Sequence, residues 1–244
     1  MGYGMSYIEQ NGYFTFDGIK SSDYGVWING GGTFDAPKRR HKEYVVPGRN
    51  GVLTIDEGAY DEIDHKYPAF ISNNFASNVQ NFRNYMMTKI GHVRLTDSYH
   101  TDEFYRAKYM DGLEVDVAPG GKGGAFTVTF RRDPRRFLVS GETQSTVASG
   151  GSISNPTLYA SKPLIRVTGY GTLYVGSDRL DVASGFAYVD IDSETQDCYH
   201  GTDNANSKVT LQSNNFPQLQ PGTTGITYSG NITSVKITPR WYRL

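Results

Sequence analysis

Apolar positions along this chain recur mostly with a period of two. Phe14 and Phe16, then Val26 and Ile28, flank a short turn. Leu113, Val115 and Val117 alternate on one side of Pro119–Gly124, and Phe126, Val128 and Phe130 on the other. Pro163–Thr168 and Thr172–Val175 start a later β unit. In it Ala187, Val189 and Ile191 alternate with Tyr188, Asp190 and Asp192, and Ile226, Tyr228, Val235 and Ile237 resume the period. Successive side chains of a strand point to opposite faces, so these segments predict half-buried strands. Clusters of Gly, Pro, Asn and Asp separate them, as in antiparallel β proteins. The hairpin expected from this pattern pairs Leu113–Val117 with Phe126–Phe130 across a floppy Gly-rich tip.

One segment departs from that period. Phe75, Val79, Phe82, Met86 and Ile90 follow spacings of four, three, four and four, which place them on one helical face. The spacing predicts a single helix over 75–90 laid on a sheet, with Asn74 or Ser77 as cap, Lys89 suiting its negative end and Gly91 stopping it. The fold class expected is therefore all-β with one helix.

Polarity along the chain suggests two domains. Arg131–Arg136 ends the second hairpin strand, and Ser140–Ser152 is too polar and Gly-rich to bury. The expectation is a domain over 1–138, a linker over 139–151 and a second domain over 152–244.

Composition adds bounds. The 244 residues suit two modest domains, and 37% hydrophobic content with 13% aromatic is enough for packed cores. A net charge of −1 gives no global attraction to nucleic acid or an anionic membrane. Cys198, the one cysteine, rules out an intramolecular disulfide and fits folding in a reducing cytosol. No basic, apolar leader opens the chain and no run suits a bilayer span, so Asn231–Thr233 reads as a chance glycosylation sequon.

Candidate chemistry is sparse. His41, His65, His92, His100 and His200 show no metal-ligand spacing and read as scattered structural or surface residues. Asp56–Asp64 lacks the ligand ladder of a calcium loop and reads as a solvated acidic turn. Gly120–Gly124 has a lysine but no Ser/Thr after it and leads into a strand, so a hairpin tip outweighs a phosphate loop. The Arg131–Arg136 cluster reads as a hinge paired with carboxylates such as Asp133, with subunit bridging or a lumen-facing role as the functional alternative. Asp190, Asp192 and Glu194 share one strand face and read as its solvent side, although a glycosidase-like carboxylate pair is a matter of three-dimensional spacing. Tyr170, Tyr174 and Trp241 could stack on sugars, but such aromatics more often belong to a core or interface. No residue is assigned as catalytic, metal-ligating or cofactor-binding, and no cofactor is expected. Ligand-binding residues are unassigned.

Motifs at both ends of the chain, in order, carry a resemblance. At the C-terminal end stand Tyr188-Val-Asp-Ile-Asp-Ser-Glu-Thr-Gln-Asp-Cys-Tyr, Asn215-Phe-Pro-Gln-Leu-Gln-Pro-Gly and Ile237-Thr-Pro-Arg-Trp-Tyr-Arg-Leu244. At the other end stand Phe14-Thr-Phe-Asp-Gly-Ile-Lys-Ser-Ser-Asp-Tyr-Gly-Val-Trp-Ile28 and the turn Val45-Val-Pro-Gly-Arg-Asn-Gly-Val-Leu53. Together they resemble the distal tail proteins (Dit) of phages with long, non-contractile tails. One departure is Thr223-Thr224, where the family often has an asparagine. The resemblance implies an N-terminal β-sandwich carrying one helix and a C-terminal galectin-like β-sandwich. It implies a non-enzymatic virion protein, made in the host cytoplasm and placed at the tail tip. There a homo-hexameric ring would join the tail tube protein to hub, baseplate or receptor-binding proteins around a channel that DNA passes. A carbohydrate-binding adsorption protein and a glycoside-acting enzyme are the rival readings.

Overall fold

The computed structural model describes residues 12–30, 35–72 and 74–244. They form an all-β chain with one α-helix, in two compact units: the first ends at Arg136 and also takes Leu244, and the second is Phe137–Arg243.

The first unit contains β1 (Phe14–Phe16), β2 (Ile19–Lys20), β3 (Val26–Ile28), β4 (Arg39–Val45), β5 (Val52–Tyr60) and β6 (Ile63–Ser72). Helix α1 (Phe75–Thr88) follows, then β7 (Val93–Asp97), β8 (Glu103–Tyr109), β9 (Asp116–Val117) and β10 (Gly123–Arg132). One antiparallel sheet runs in the order β2-β1-β7-β8-β10-β6-β3. Three strand steps separate β1 from β10, about 14 Å in a flat sheet. Yet the rings of Phe16 and Phe130 lie 4.9 Å apart, and those of Phe14 and Phe130 5.2 Å. The sheet is therefore curled around its aromatic core, which makes a layered interior from a single sheet.

Helix α1 lays Phe82 and Met86 on this core, both 1% exposed. The Phe82 ring meets Phe14 at 6.2 Å and Phe126 at 6.1 Å. The helix stops at Thr88, and Ile90, expected on its buried face, is 93% exposed beyond the last turn. Asn74 precedes the helix in the left-handed region at φ 41° and makes no side-chain capping bond. Lys89 instead pairs with Asp17 and lies over the Tyr85 ring.

The expected hairpin forms only in part. β9 pairs two residues with Gly124 and Ala125, whereas Phe126–Phe130 lies opposite Ala69–His65 of β6 along a full-length ladder. Its ten-residue register outcompetes the local pairing, because β6 sets buried Tyr67 and Ala69 opposite buried Val128 and Phe126.

The second unit is a β-sandwich. After β11 (Arg136–Leu138), which is in neither of its sheets, come β12 (Ser145–Val147), β13 (Gly151–Asn155), β14 (Leu164–Thr168), β15 (Gly171–Val175), β16 (Asp178–Val182) and β17 (Tyr188–Asp192). They continue with β18 (Asp197–His200), β19 (Asp203–Asn204), β20 (Val209–Leu211), β21 (Gly222–Gly230) and β22 (Ser234–Thr238), and the final β23 (Tyr242–Arg243) pairs with β11. One sheet runs β12-β22-β14-β17-β18-β19 and the other β13-β21-β15-β16-β20. In the first, Ile165 sits between Ile191 and Ile237, and Val167 between Val189 and Val235, two rows that face the core. The second sheet answers with Leu173, Val175, Leu180, Val182 and Ile226.

The segment expected as a linker is folded into this sandwich. Residues Val139–Glu142 make a 3-10 turn, β12 pairs with β22, and β13 pairs with β21. Both are edge strands, where polar residues face water while the ladder satisfies the backbone, so a composition that signals a loop is compatible with a strand. A Cβ at Gly141 would lie 2.3 Å from the Trp241 nitrogen, so this turn packs directly on the C-terminal segment.

Candidate functional site

The β4–β5 hairpin is exposed along nearly its whole length. Its two strands pair only with each other, and most of its residues are exposed. Val46-Pro-Gly-Arg-Asn-Gly forms the turn, with Gly48 at φ 79° and Gly51 at φ 82°, conformations that glycine accepts without strain. Toward the base, charges pair across and beside the strands: Arg39 with Asp56, Arg40 with Asp61 at 2.7 Å, Lys42 with Glu57 at 2.9 Å. The Gly58 N–H and then the Arg39 guanidinium hold the Asp56 carboxyl below the usual carboxylate range. Toward the tip the chemistry changes. Tyr44 faces Leu53 and Val45 faces Val52 across the ladder, and Val46 and Ile55 extend the apolar set. All are exposed, Val45 by 80%. An isolated two-stranded hairpin is marginal in water, and these large apolar side chains on one limb form a surface suited to burial against another chain. The acidic Asp56–Asp64 stretch, expected as a solvated turn, supplies the paired carboxylates of this limb and of β6.

Among the described residues no group of three or more His, Cys, Asp or Glu side chains could hold a metal. The histidines are dispersed. His41 approaches Glu43, His92 approaches Glu62, His100 is bonded to Asp97, and His200 stacks on Phe186. His65 is buried edge-on to Tyr67 at 4.5 Å, and neither ring nitrogen has a hydrogen-bond partner among the described residues. Burial, then the positive Arg132, pushes its pKa down to about 4. Gly121 and Lys122 line a depression with Asn74–Asn78, at the start of α1.

The arginine cluster separates into distinct roles. Arg131 pairs with Asp64 at 2.9 Å, Arg135 with Asp133 at 2.7 Å and Arg136 with Glu103 at 3.3 Å. Arg132 turns inward, 1% exposed, with its guanidinium over the Tyr105 ring at 4.6 Å.

The carboxylates of β17 overturn the solvent-face expectation. Asp190 and Asp192 are 3% and 5% exposed. Arg166 grips Asp190 through Nε and Nη2, both at 2.7 Å, while its guanidinium covers the Tyr188 ring at 4.2 Å. Arg240 grips Asp192 through Nη1 at 2.6 Å and Nη2 at 2.8 Å. Burial alone would raise the Asp192 carboxyl; Arg240 and the N–H groups of Glu194 and Thr195 outweigh it and hold the carboxyl below its ordinary value. Both carboxylates are consumed in bidentate pairs, which leaves neither as a free acid or base. Trp241 is 5% exposed in the sandwich core, while Tyr170 and Tyr174 are 45% and 38% exposed. Cys198 is buried and its thiol pushed up to about 12 by burial, the reverse of an activated nucleophile.

This architecture, a curled sheet with one helix in the first unit and a two-sheet sandwich in the second, is a fold seen in a solved phage hub protein. It is the fold of the Dit protein of phage SPP1. That crystal structure, described as a paradigm of the hub adsorption apparatus in phages infecting Gram-positive bacteria, superposes with a TM-score of 0.73 at 15% identity, over 95% of this chain and 99% of that one. Chains of the phage P2 baseplate in its activated conformation align over 93% and 96% of this chain at 9% identity, with TM-scores of 0.47 and 0.49. No protein-family model matches the sequence, and no curated protein does.

Proposed function

We propose that this protein is a structural tail hub: a ring of identical subunits at the distal end of a long phage tail, between the tail tube and the adhesion device. The observation that carries the reading is the end-to-end correspondence of its fold with SPP1 Dit, spanning nearly all of both chains. The exposed β4–β5 limb supports it, since a cyclic assembly lets one such limb cover a neighbour's surface at every interface. In this reading six copies surround a channel that DNA traverses, the galectin-like second unit docks baseplate or receptor-binding proteins, and the protein resides in the virion without catalysing a reaction. The paired Asp190 and Asp192 and the buried Trp241 speak against the glycosidase and sugar-stacking alternatives.

Light scattering and negative-stain imaging of the full chain test it. Six chains of 27.1 kDa give a ring of about 163 kDa. A species of one chain's mass at every concentration, unchanged by added tail tube or baseplate proteins, overturns the reading.

A further inference from the structure

The end of β10 closes on a cavity of about 190 Å³ lined by Asp35, His100, Tyr105, Arg132 and Arg136 among others. Its basic side chains are not equivalent. Arg136 is tied to Glu103 and His100 to Asp97. Arg132 has no carboxylate within ion-pair distance among the described residues. Its Nε lacks any hydrogen-bond partner there, and Nη1 reaches only the Asp133 carbonyl at 3.4 Å. A guanidinium this deeply buried ordinarily has a counter-ion and a filled set of acceptors, because desolvating it uncompensated is costly. The Tyr105 ring covers one of its faces and leaves the donor edge as the unmet demand. A planar anion with two oxygens matches that fork better than a spherical or tetrahedral one.

We propose that this cavity is a carboxylate-binding site, sized for a group like an aspartate or glutamate side chain, with Arg132 as anchor, Tyr105 as wall and Arg136 as a second positive charge. The carboxylate comes either from a free short dicarboxylate or from an acidic side chain of a neighbouring chain. The site stands independently of the hub reading.

Succinate, titrated into the full chain at constant ionic strength with chloride as the control, is the probe. Saturation is expected at about 1–10 mM. It is accompanied by a shift of the Arg132 Nε–H resonance and a rise of the His65 titration midpoint above about 4, because the bound anion offsets the field of Arg132. Asp35→Asn removes a negative charge from the cavity wall and should tighten succinate by roughly tenfold. Arg132→Lys keeps the charge but loses the fork and should weaken it by at least about tenfold. If Arg132→Lys does not fold, Arg136→Gln takes its place: weaker succinate binding there, beside tighter binding in Asp35→Asn, supports the site equally. Absence of saturation, an equal response to chloride, or unchanged affinity in the folded variants overturns the site. Sedimentation assigns the source: succinate that dissociates oligomers has displaced a neighbour's carboxylate, and succinate that binds without doing so is replacing a free ligand.

Discussion

Arg240 holds Asp192 through two guanidinium nitrogens while its own backbone sits in the left-handed region at φ 57°. A non-glycine residue keeps that conformation only where its surroundings fix it. Here the Arg240 N–H donates to the Gly141 carbonyl at 2.7 Å, and the next carbonyl, of Trp241, accepts from the Leu138 N–H at 2.9 Å. The Pro-Arg-Trp motif is thus a latch: an ion pair on one side, a backbone bridge on the other and an indole in the core.

Breaking the latch should destabilise the second unit. Arg240→Ala leaves Asp192 buried without its partner and should cost about 2–4 kcal/mol, the lower part of the buried-pair range because Arg240 is partly exposed. The Asp192 carboxyl lies below its unfolded value, so its contribution is present above about pH 4 and is lost as the pH falls through the folded value. Urea melts of wild type and variant should converge at acid pH. A gap that does not narrow at all as the pH falls contradicts the assignment.

Trp241→Ala should cost about 3–5 kcal/mol through lost burial and the cavity left behind. An unchanged melting temperature together with lost binding to cell-wall glycan would instead make Trp241 a sugar platform.

His65 sets a second pH window, in the first unit. Its folded pKa of about 4 lies below the free value of 6.5, so neutral His65 contributes stability that is complete above pH 6.5 and drains away as the pH drops toward 4. The loss is about 3 kcal/mol. Denaturant midpoints between pH 4 and 7 measure it, and His65→Phe should flatten the slope. An equal slope in the variant removes His65 as the cause.

The hairpin tip should govern association without affecting folding. Val45→Asp with Leu53→Asp alters only exposed positions and should shift stability by less than about 0.5 kcal/mol. Self-association, followed by light scattering, should weaken by at least about tenfold. Full assembly of the double variant would remove this limb from the contact.

A broad-specificity protease should cut the turn at 46–51 and the Gly-rich tip at 119–122 before the 139–151 segment, since β12 and β13 hold the latter in their sheets. Mass spectrometry of the first fragments decides, and early scission at 139–151 would contradict its place in the sandwich.

The core rows were legible in the sequence because alternation reports which face of a strand is apolar, and Ile165, Val167, Val189, Ile191, Val235 and Ile237 all face inward as their period predicts. Alternation does not report what covers the other face. Asp190 and Asp192 read as a solvent side, and only the arrival of Arg166 from β14 and Arg240 from the chain's far end buries them. Pairing partners were equally hidden: β10 pairs along its full length with β6, some 60 residues away in sequence, and at only two residues with its neighbour β9. The β4–β5 limb was not legible as a pair of strands, because its residues stay exposed and alternation carries no burial signal there. Its signal was the Pro-Gly-Arg-Asn-Gly turn between two apolar runs.

The latch also orders events during synthesis. Leu138, Gly141 and β12 find their partners in residues 235–241, at the opposite end of the second unit's sequence. That edge of the sandwich cannot close until the last strands have left the ribosome. The seven-strand ladder of the first unit, complete by Arg132, can form while the rest is still being made. The nascent second unit meanwhile carries β22's partners, β12 and β14, with open edges, and the late arrival of residues 234–243 both completes its core and ends its exposure to mispairing.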